Sequence, residues 1–82
     1  MTEEKRQEWI WYAYRDAMEL HKEGMKIEQI EELLILYEEE ELYLHCAGIK
    51  EAIDDLKKIA KEEYELAKLI KQQEDENDTA TD

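Results

Sequence analysis

The sequence contains no proline, no phenylalanine and no serine, and it has only two glycines among its 82 residues. Proline and glycine are the residues that most often interrupt helices, so their scarcity favours long, continuous helices. Glu, Lys, Leu, Ile and Ala dominate instead, and no segment alternates polar and apolar residues as a strand does. The sequence therefore predicts one all-α domain with a limited hydrophobic core.

The usual stabilisers of small domains are also scarce. Cys46 is the only cysteine, so no disulfide can form within the chain. His21 and His45 are the only histidines, and neither has a second imidazole or thiol at ligand spacing, so we expect no metal site and no cofactor. Self-association is the remaining source of extra stability, and the sequence predicts a homo-oligomer.

Sequence features that direct proteins to membranes or out of the cell are missing as well. No apolar run is long enough to span a bilayer, and the N-terminal segment Thr2-Glu3-Glu4 lacks the basic start of a signal peptide. A single free thiol is typical of a reducing compartment. We expect a soluble cytoplasmic protein that does not contact membranes.

Negative charge is abundant and unevenly distributed. The formal net charge is −13, and residues 27–49 contain seven Glu and no Lys or Arg, whereas residues 50–71 are balanced. Such a field repels phosphate backbones and attracts basic protein surfaces. We therefore expect a protein partner with a basic surface and no direct binding of nucleic acid.

Apolar spacing predicts three helices. The first covers residues 3–23, with Thr2 as the N-cap and Gly24 as the stop, and the second begins near Ile27. The third covers at least residues 49–70, where apolar residues recur in steps of three and four. This pattern predicts a three-helix bundle, or a helical hairpin with a long C-terminal helix.

The boundary between the second and third helices has two solutions. A break at Gly48 is preferred, because glycine commonly ends helices. The alternative is a break within the glutamate run at residues 38–41, which leaves Gly48 inside a long helix. Past residue 71 the chain is polar and acidic, so we divide it into a helical domain, residues 1–71, and a disordered acidic tail, residues 72–82.

Carboxylates at helical spacing raise the possibility of an enzyme. Glu28, Glu31 and Glu32 precede a second group, Glu51 and Asp54, and this pattern resembles in outline the Mg²⁺-binding helices of some all-α nucleotide pyrophosphohydrolases. The resemblance implies a Mg²⁺-dependent nucleotide hydrolase as the alternative function. Chance spacing in a glutamate-rich chain is the preferred interpretation.

Two other segments suggest chemistry or DNA binding, and the residues around them argue against both. His45 and Cys46 are adjacent, so their side chains point about 100° apart on a helix and cannot act as base and nucleophile. Residues 20–30 resemble the first helix and turn of some helix-turn-helix regulators, but glutamates follow where a recognition helix needs basic or amide side chains. We predict no catalytic residues, no enzyme activity and no DNA contact.

Two residue sets are left as candidate interaction sites. The first helix has more aromatic side chains than one face can bury, and the glutamate run offers negative charge, so the predicted partner-binding residues are Trp9, Trp11, Tyr12, Glu38, Glu39, Glu40 and Glu41. The second helix is apolar nearly all round in one segment, so the predicted self-association residues are Leu33, Ile35, Leu36 and Tyr37. The sequence thus predicts a small acidic interaction module, a regulator or inhibitor of a type frequent in phages and mobile elements, which acts on a basic partner, with mimicry of the DNA backbone as its sharper version.

Overall fold

The computed structural model describes the backbone of residues 1–80 and the side chains of residues 1–73. It contains three helices within that range, α1 (Glu3–Lys22), α2 (Ile27–Glu39) and α3 (Tyr43–Ala80). The predicted all-α class and the three-helix arrangement with a long C-terminal helix are confirmed. None of the helices in this part of the chain is long and apolar enough to cross a membrane.

The ends of α1 agree with the sequence signals. Thr2 caps its start, because the Thr2 Oγ1 accepts a hydrogen bond from the Lys5 backbone N–H at 3.2 Å. Gly24 follows its end with φ +118°, a left-handed conformation that glycine adopts without strain. The Met25 N–H donates to the Leu20 carbonyl at 2.9 Å, which closes a Schellman motif.

The preferred break at Gly48 is wrong, and the alternative within the glutamate run is correct. α2 ends at Glu39, and α3 begins at Tyr43, so Gly48 lies inside α3. The turn between them is a second Schellman motif, in which the Leu42 N–H donates to the Tyr37 carbonyl at 3.0 Å. Its left-handed position is occupied by Glu41, with φ 60°, instead of the expected glycine.

Gly48 has a packing role. A Cβ atom on Gly48 would lie 2.7 Å from the Ala13 Cβ and 2.8 Å from the Tyr14 backbone nitrogen, and closer still to the Ile10 carbonyl oxygen. Small residues line both sides of the contact between α1 and α3, because Ala13 and Ala17 of α1 and Ala52 of α3 are buried. Glycine at position 48 therefore lets α1 and α3 approach at backbone contact.

α3 is the common support of the other two helices. α1 runs parallel to it, with Ile10 beside Gly48 and Tyr14 hydrogen-bonded to Asp55. α2 runs antiparallel to it, so that lysines of α3 pair with glutamates of α2. The buried residues form a small core of short and branched side chains: Ala13, Ala17, Ile30, Cys46, Ile49, Ala52, Ile53 and Leu56.

α3 continues far beyond that core. Its backbone is helical across the predicted domain boundary at residue 71 and up to Ala80. The predicted tail falls largely outside the side chains that the structure describes, and residues 81 and 82 lie outside the described backbone. The division into a helical domain and a disordered tail therefore stays a prediction.

Candidate protein-interaction surface

The outer side of α1 carries a group of exposed aromatic residues. Trp11 and Tyr12 are 54% and 44% exposed, and their ring centroids lie 5.4 Å apart in an edge-to-face arrangement. Arg15, one helical turn further along, places its guanidinium carbon 5.1 Å from the Trp11 ring centroid and 5.3 Å from that of Tyr12. We call Trp11, Tyr12 and Arg15 the aromatic patch.

Arg15 was not predicted from the sequence, although a signal for it exists. It follows Trp11 by four residues and Tyr12 by three, the two spacings at which helix side chains meet. A cation over an aromatic face contributes about 0.5–1 kcal/mol at an exposed site. This contact favours the observed arrangement of the two rings.

The acidic residues nearest the aromatic patch come from α1 itself. A shallow groove of about 600 Å³ is lined by Trp11 and Tyr12 together with Glu3, Glu4, Gln7 and Glu8. Glu8 and Glu4 lie one and two helical turns before the patch, respectively, and both are exposed. The predicted acidic contribution lies at residues 38–41, and Glu4 and Glu8 are not among the predicted residues.

Trp9 lies on a different side of α1 from the aromatic patch. Its ring centroid is 5.8 Å from that of His45, which in turn lies 5.7 Å from the Tyr37 ring. Trp9 also lines an open cleft of about 320 Å³ with Glu41, Leu42 and Tyr43. The structure thus separates the predicted partner-binding residues into two groups, Trp11 with Tyr12 and Trp9 with Glu41.

The predicted acidic residues Glu38, Glu39, Glu40 and Glu41, which we call the acidic turn, surround the junction of α2 and α3. All four are exposed. The Glu38 carboxylate lies 3.8 Å from the Lys50 ammonium, and because both side chains are exposed to water, their attraction is weak. The acidic turn and Trp9 therefore lie at one end of the bundle, and Glu41 is the residue that joins them.

The predicted self-association residues point in two directions. Leu33 and Tyr37 are half-buried and line a narrow cleft among the three helices, with Ala17 of α1 and Ile49 of α3. Ile35 and Leu36 are 55% and 56% exposed, respectively. Of the four residues, Ile35 and Leu36 are therefore the more accessible to a second molecule.

The reactive side chains near the core are held in neutral forms. Burial raises the pKa of the Cys46 thiol, with a further contribution from the negative charge of Glu38. The Tyr14 hydroxyl donates a 2.6 Å hydrogen bond to Asp55 Oδ2, which raises the Tyr14 pKa because the bond stabilises the protonated phenol. His45 faces Trp9 and Tyr37, so the sequence neighbours His45 and Cys46 do not act on each other.

The structure brings one carboxylate from each group of the enzyme hypothesis to the same groove. Glu31 of α2 and Asp54 of α3 line it together with Lys50 and Lys57, and the Glu31 carboxylate lies 3.3 Å from the Lys57 ammonium. Across residues 1–73, no three His, Cys, Asp or Glu side chains come close enough together to hold a metal ion. The Mg²⁺-dependent hydrolase stays a prediction of the sequence.

Similarity to known proteins gives no indication of function for this chain. A comparison with protein-family models, with curated proteins and with solved structures finds no significant match to this chain.

Proposed function

We propose that this chain is a protein-interaction module that regulates or inhibits a partner protein by binding a basic region of its surface. The observation that carries this proposal is the aromatic patch, where two large aromatic side chains and an arginine are exposed beside a groove lined by glutamates. The binding surface is the aromatic patch with Glu4 and Glu8. The acidic turn with Trp9 forms a second contact region.

The composition of the aromatic patch supports binding. Trp, Tyr and Arg are the residue types that most often dominate the binding energy of protein interfaces. Arg15 contacts both rings, which favours one arrangement of them and lowers the side-chain entropy lost when a partner covers them. A monomer that used these rings only for its own stability would bury them, as it buries Ile53 and Leu56.

The charge distribution supports a basic partner. The net charge of −13 produces a negative field that accelerates encounters with positive surfaces. α2 contributes five glutamates and no Lys or Arg, which disfavours contact with phosphates. In the sharper version of the proposal, the acidic turn occupies the place of a DNA backbone on a nucleic-acid-binding protein.

The test begins with capture of proteins from a lysate by the tagged chain, followed by calorimetry with each purified candidate. We expect the double variant Trp11→Ala/Tyr12→Ala to lose about two orders of magnitude in affinity, since two hot-spot residues are removed. The matched control is Ile35→Ala/Leu36→Ala, which removes apolar side chains of similar exposure from α2. Loss of binding in the control together with unchanged binding of the aromatic variant contradicts the assignment of the surface.

A second arm examines charge. Because charge attraction between exposed surfaces is screened by ions, we expect affinity to fall steadily as salt is raised. Two charge-removing variants, Glu4→Gln/Glu8→Gln and Glu39→Gln/Glu40→Gln, should each reduce the dependence of affinity on salt. The variant with the larger reduction identifies the acidic region that contributes more to binding. Affinity that stays constant between low and high salt contradicts the basic-partner version.

A further inference from the structure

An open cleft of about 320 Å³ lies at the end of the bundle where α2 meets α3. It is lined by Trp9 of α1, by Glu41 of the turn and by the first residues of α3. Trp9 is 45% exposed, and its ring centroid lies 5.8 Å from that of His45. The second contact region of the proposed function therefore contains a cleft that combines an accessible indole ring with a carboxylate, and we call it the Trp9 cleft.

The lining of the Trp9 cleft matches a long side chain with a cationic end. Leu42 and Leu44 contribute apolar lining, which suits the methylene stem of a lysine or an arginine. An indole is the aromatic group that attracts cations most strongly, and Glu41 supplies a negative charge to the same cleft. The lining thus specifies the charge of the occupant as well as its apolar part.

The aromatic patch shows how this chain supplies a cation to an exposed indole. Arg15 follows Trp11 by four residues, and its guanidinium carbon lies 5.1 Å from the Trp11 ring centroid. The residue at the same spacing after Trp9 is Ala13, which is buried in the core and has no charge. Helical spacing therefore provides Trp11 with a cation and leaves Trp9 without the equivalent one.

The charge around the Trp9 cleft favours a cationic occupant. The acidic turn contributes four carboxylates, and residues 38–49 contain no Lys or Arg. Lys5, one helical turn before Trp9, pairs with Glu8 at 3.9 Å. The C-terminus of α2 and the N-terminus of α3 meet at this turn, and their partial charges have opposite signs and oppose each other. The glutamates therefore determine the sign of the field in the cleft.

Arginine suits these groups better than lysine does. A planar guanidinium stacks on aromatic rings and donates paired hydrogen bonds to carboxylates, whereas an ammonium is a compact and strongly hydrated charge. We infer that the Trp9 cleft binds an arginine side chain of the basic partner. This inference rests on the proposed function, since the arginine belongs to the same partner, but it names the ligand of one cleft and is testable without that partner.

The first test is an NMR titration of the full chain with a blocked peptide, acetyl-Gly-Arg-Gly-amide. The chain has two tryptophans, so each indole N–H signal reports on one site. We expect the Trp9 signal to shift with a dissociation constant on the order of millimolar, and the Trp11 signal, assigned with Trp11→Phe, to shift less. A Trp9 signal that does not move, or a shift confined to Trp11, overturns the inference.

Two related peptides separate charge from shape. Citrulline in place of arginine keeps the planar group and removes its charge, so this peptide should bind at least about tenfold more weakly. Lysine in place of arginine should also bind more weakly, because an ammonium is more strongly hydrated. Equal binding of the citrulline peptide overturns the cation site, and equal binding of the lysine peptide overturns the assignment to arginine.

Two variants that each remove one negative charge test the role of Glu41. Glu41→Gln should weaken binding of the arginine peptide by about threefold, because the cleft loses its carboxylate. The control is Glu62→Gln on α3, which removes the same charge from a residue that does not line the cleft and should leave the dissociation constant nearly unchanged. Equal weakening by both variants shows a general effect of net charge and overturns the assignment of the cleft.

Calorimetry with a purified partner separates this inference from the proposed function. Glu41→Gln and Trp9→Leu should each weaken the partner, and circular dichroism should show that both variants keep their helical content. Affinity that depends on Trp11 and Tyr12 but not on Trp9 or Glu41 keeps the proposed function and overturns the arginine site. Binding of the arginine peptide at Trp9, with no partner that requires either contact region, contradicts the proposed function and supports the cleft as an arginine site.

Discussion

α3 consists of two parts that share one apolar stripe and differ in what packs on it. Proximal α3, residues 43–56, is covered by α1 and α2 and contains most of the core, including Ile49, Ile53 and Leu56. Distal α3, residues 57–73, continues the helix with its large apolar residues exposed. The comparison shows that apolar periodicity specifies which side of a helix is used, whereas the lengths of neighbouring helices decide how much of that side is buried.

The largest expected effect comes from the same substitution made in each part. Ile53 is 6% exposed and Ile70 is 49% exposed, and both belong to α3. We expect Ile53→Ala to lower the free energy of unfolding by about 3 kcal/mol, because it leaves a cavity in the core. Ile70→Ala should change it by less than about 0.5 kcal/mol at concentrations where the protein is monomeric.

Urea unfolding followed by circular dichroism measures both variants. Equal losses in the two variants would mean that something covers Ile70 in the monomer, and the division of α3 into two parts would then be incorrect.

Substitution of Gly48 gives the next largest expected change in the free energy of unfolding, and the sign of that change distinguishes helix propensity from packing. Glycine inside a helix is less favourable than alanine by about 1 kcal/mol, so propensity alone predicts that Gly48→Ala stabilises the protein. The close approach of α1 predicts the opposite, since the new Cβ would meet backbone atoms of Ile10 and Tyr14. Overpacking of about 3 kcal/mol less the propensity gain leaves a net loss of about 2 kcal/mol.

Thermal unfolding of Gly48→Ala beside the parent protein gives this sign directly. A raised melting temperature would show that α1 and α3 are further apart than the structure has them. A lowered melting temperature with unchanged helical content at low temperature is the expected result, because the helices remain formed while their packing is weakened.

The role of Gly48 could not be predicted from the sequence. One glycine can end a helix or admit a neighbouring backbone, and the sequence cannot distinguish these uses without knowing what lies opposite. The helix count, the start of α1 and the side of α3 that faces the core followed from capping and periodicity, which are local properties. The extent of burial along α3 did not, because it depends on where α1 and α2 end beside it.

The candidate surface divides in the same way. An excess of aromatic residues on α1 was evident from the helical positions of Trp11 and Tyr12, and both are exposed. The separation of Trp9 from them, and its proximity to Glu41, required the fold, because Glu41 is brought there by the antiparallel packing of α2. Arg15 was within reach of local reasoning, since its spacing from Trp11 and Tyr12 is helical.

The smallest expected effect concerns the turn that precedes proximal α3. Glu41 has φ 60°, a conformation that costs a residue with a Cβ atom about 1 kcal/mol and costs glycine little. We therefore expect Glu41→Gly to raise the free energy of unfolding by about 0.5–1 kcal/mol, again measured in urea. The matched control is Glu40→Gly, where φ is −80° and glycine should be neutral or destabilising. The two variants remove the same charge from adjacent positions, so a difference between their free energies of unfolding isolates the backbone contribution. Equal free energies of unfolding would show that the turn is not strained at Glu41. Glu41 also borders the cleft beside Trp9. Strained residues are often retained where function needs the side chain, so a Glu41→Gly variant that is more stable but binds the partner more weakly would assign such a role to Glu41.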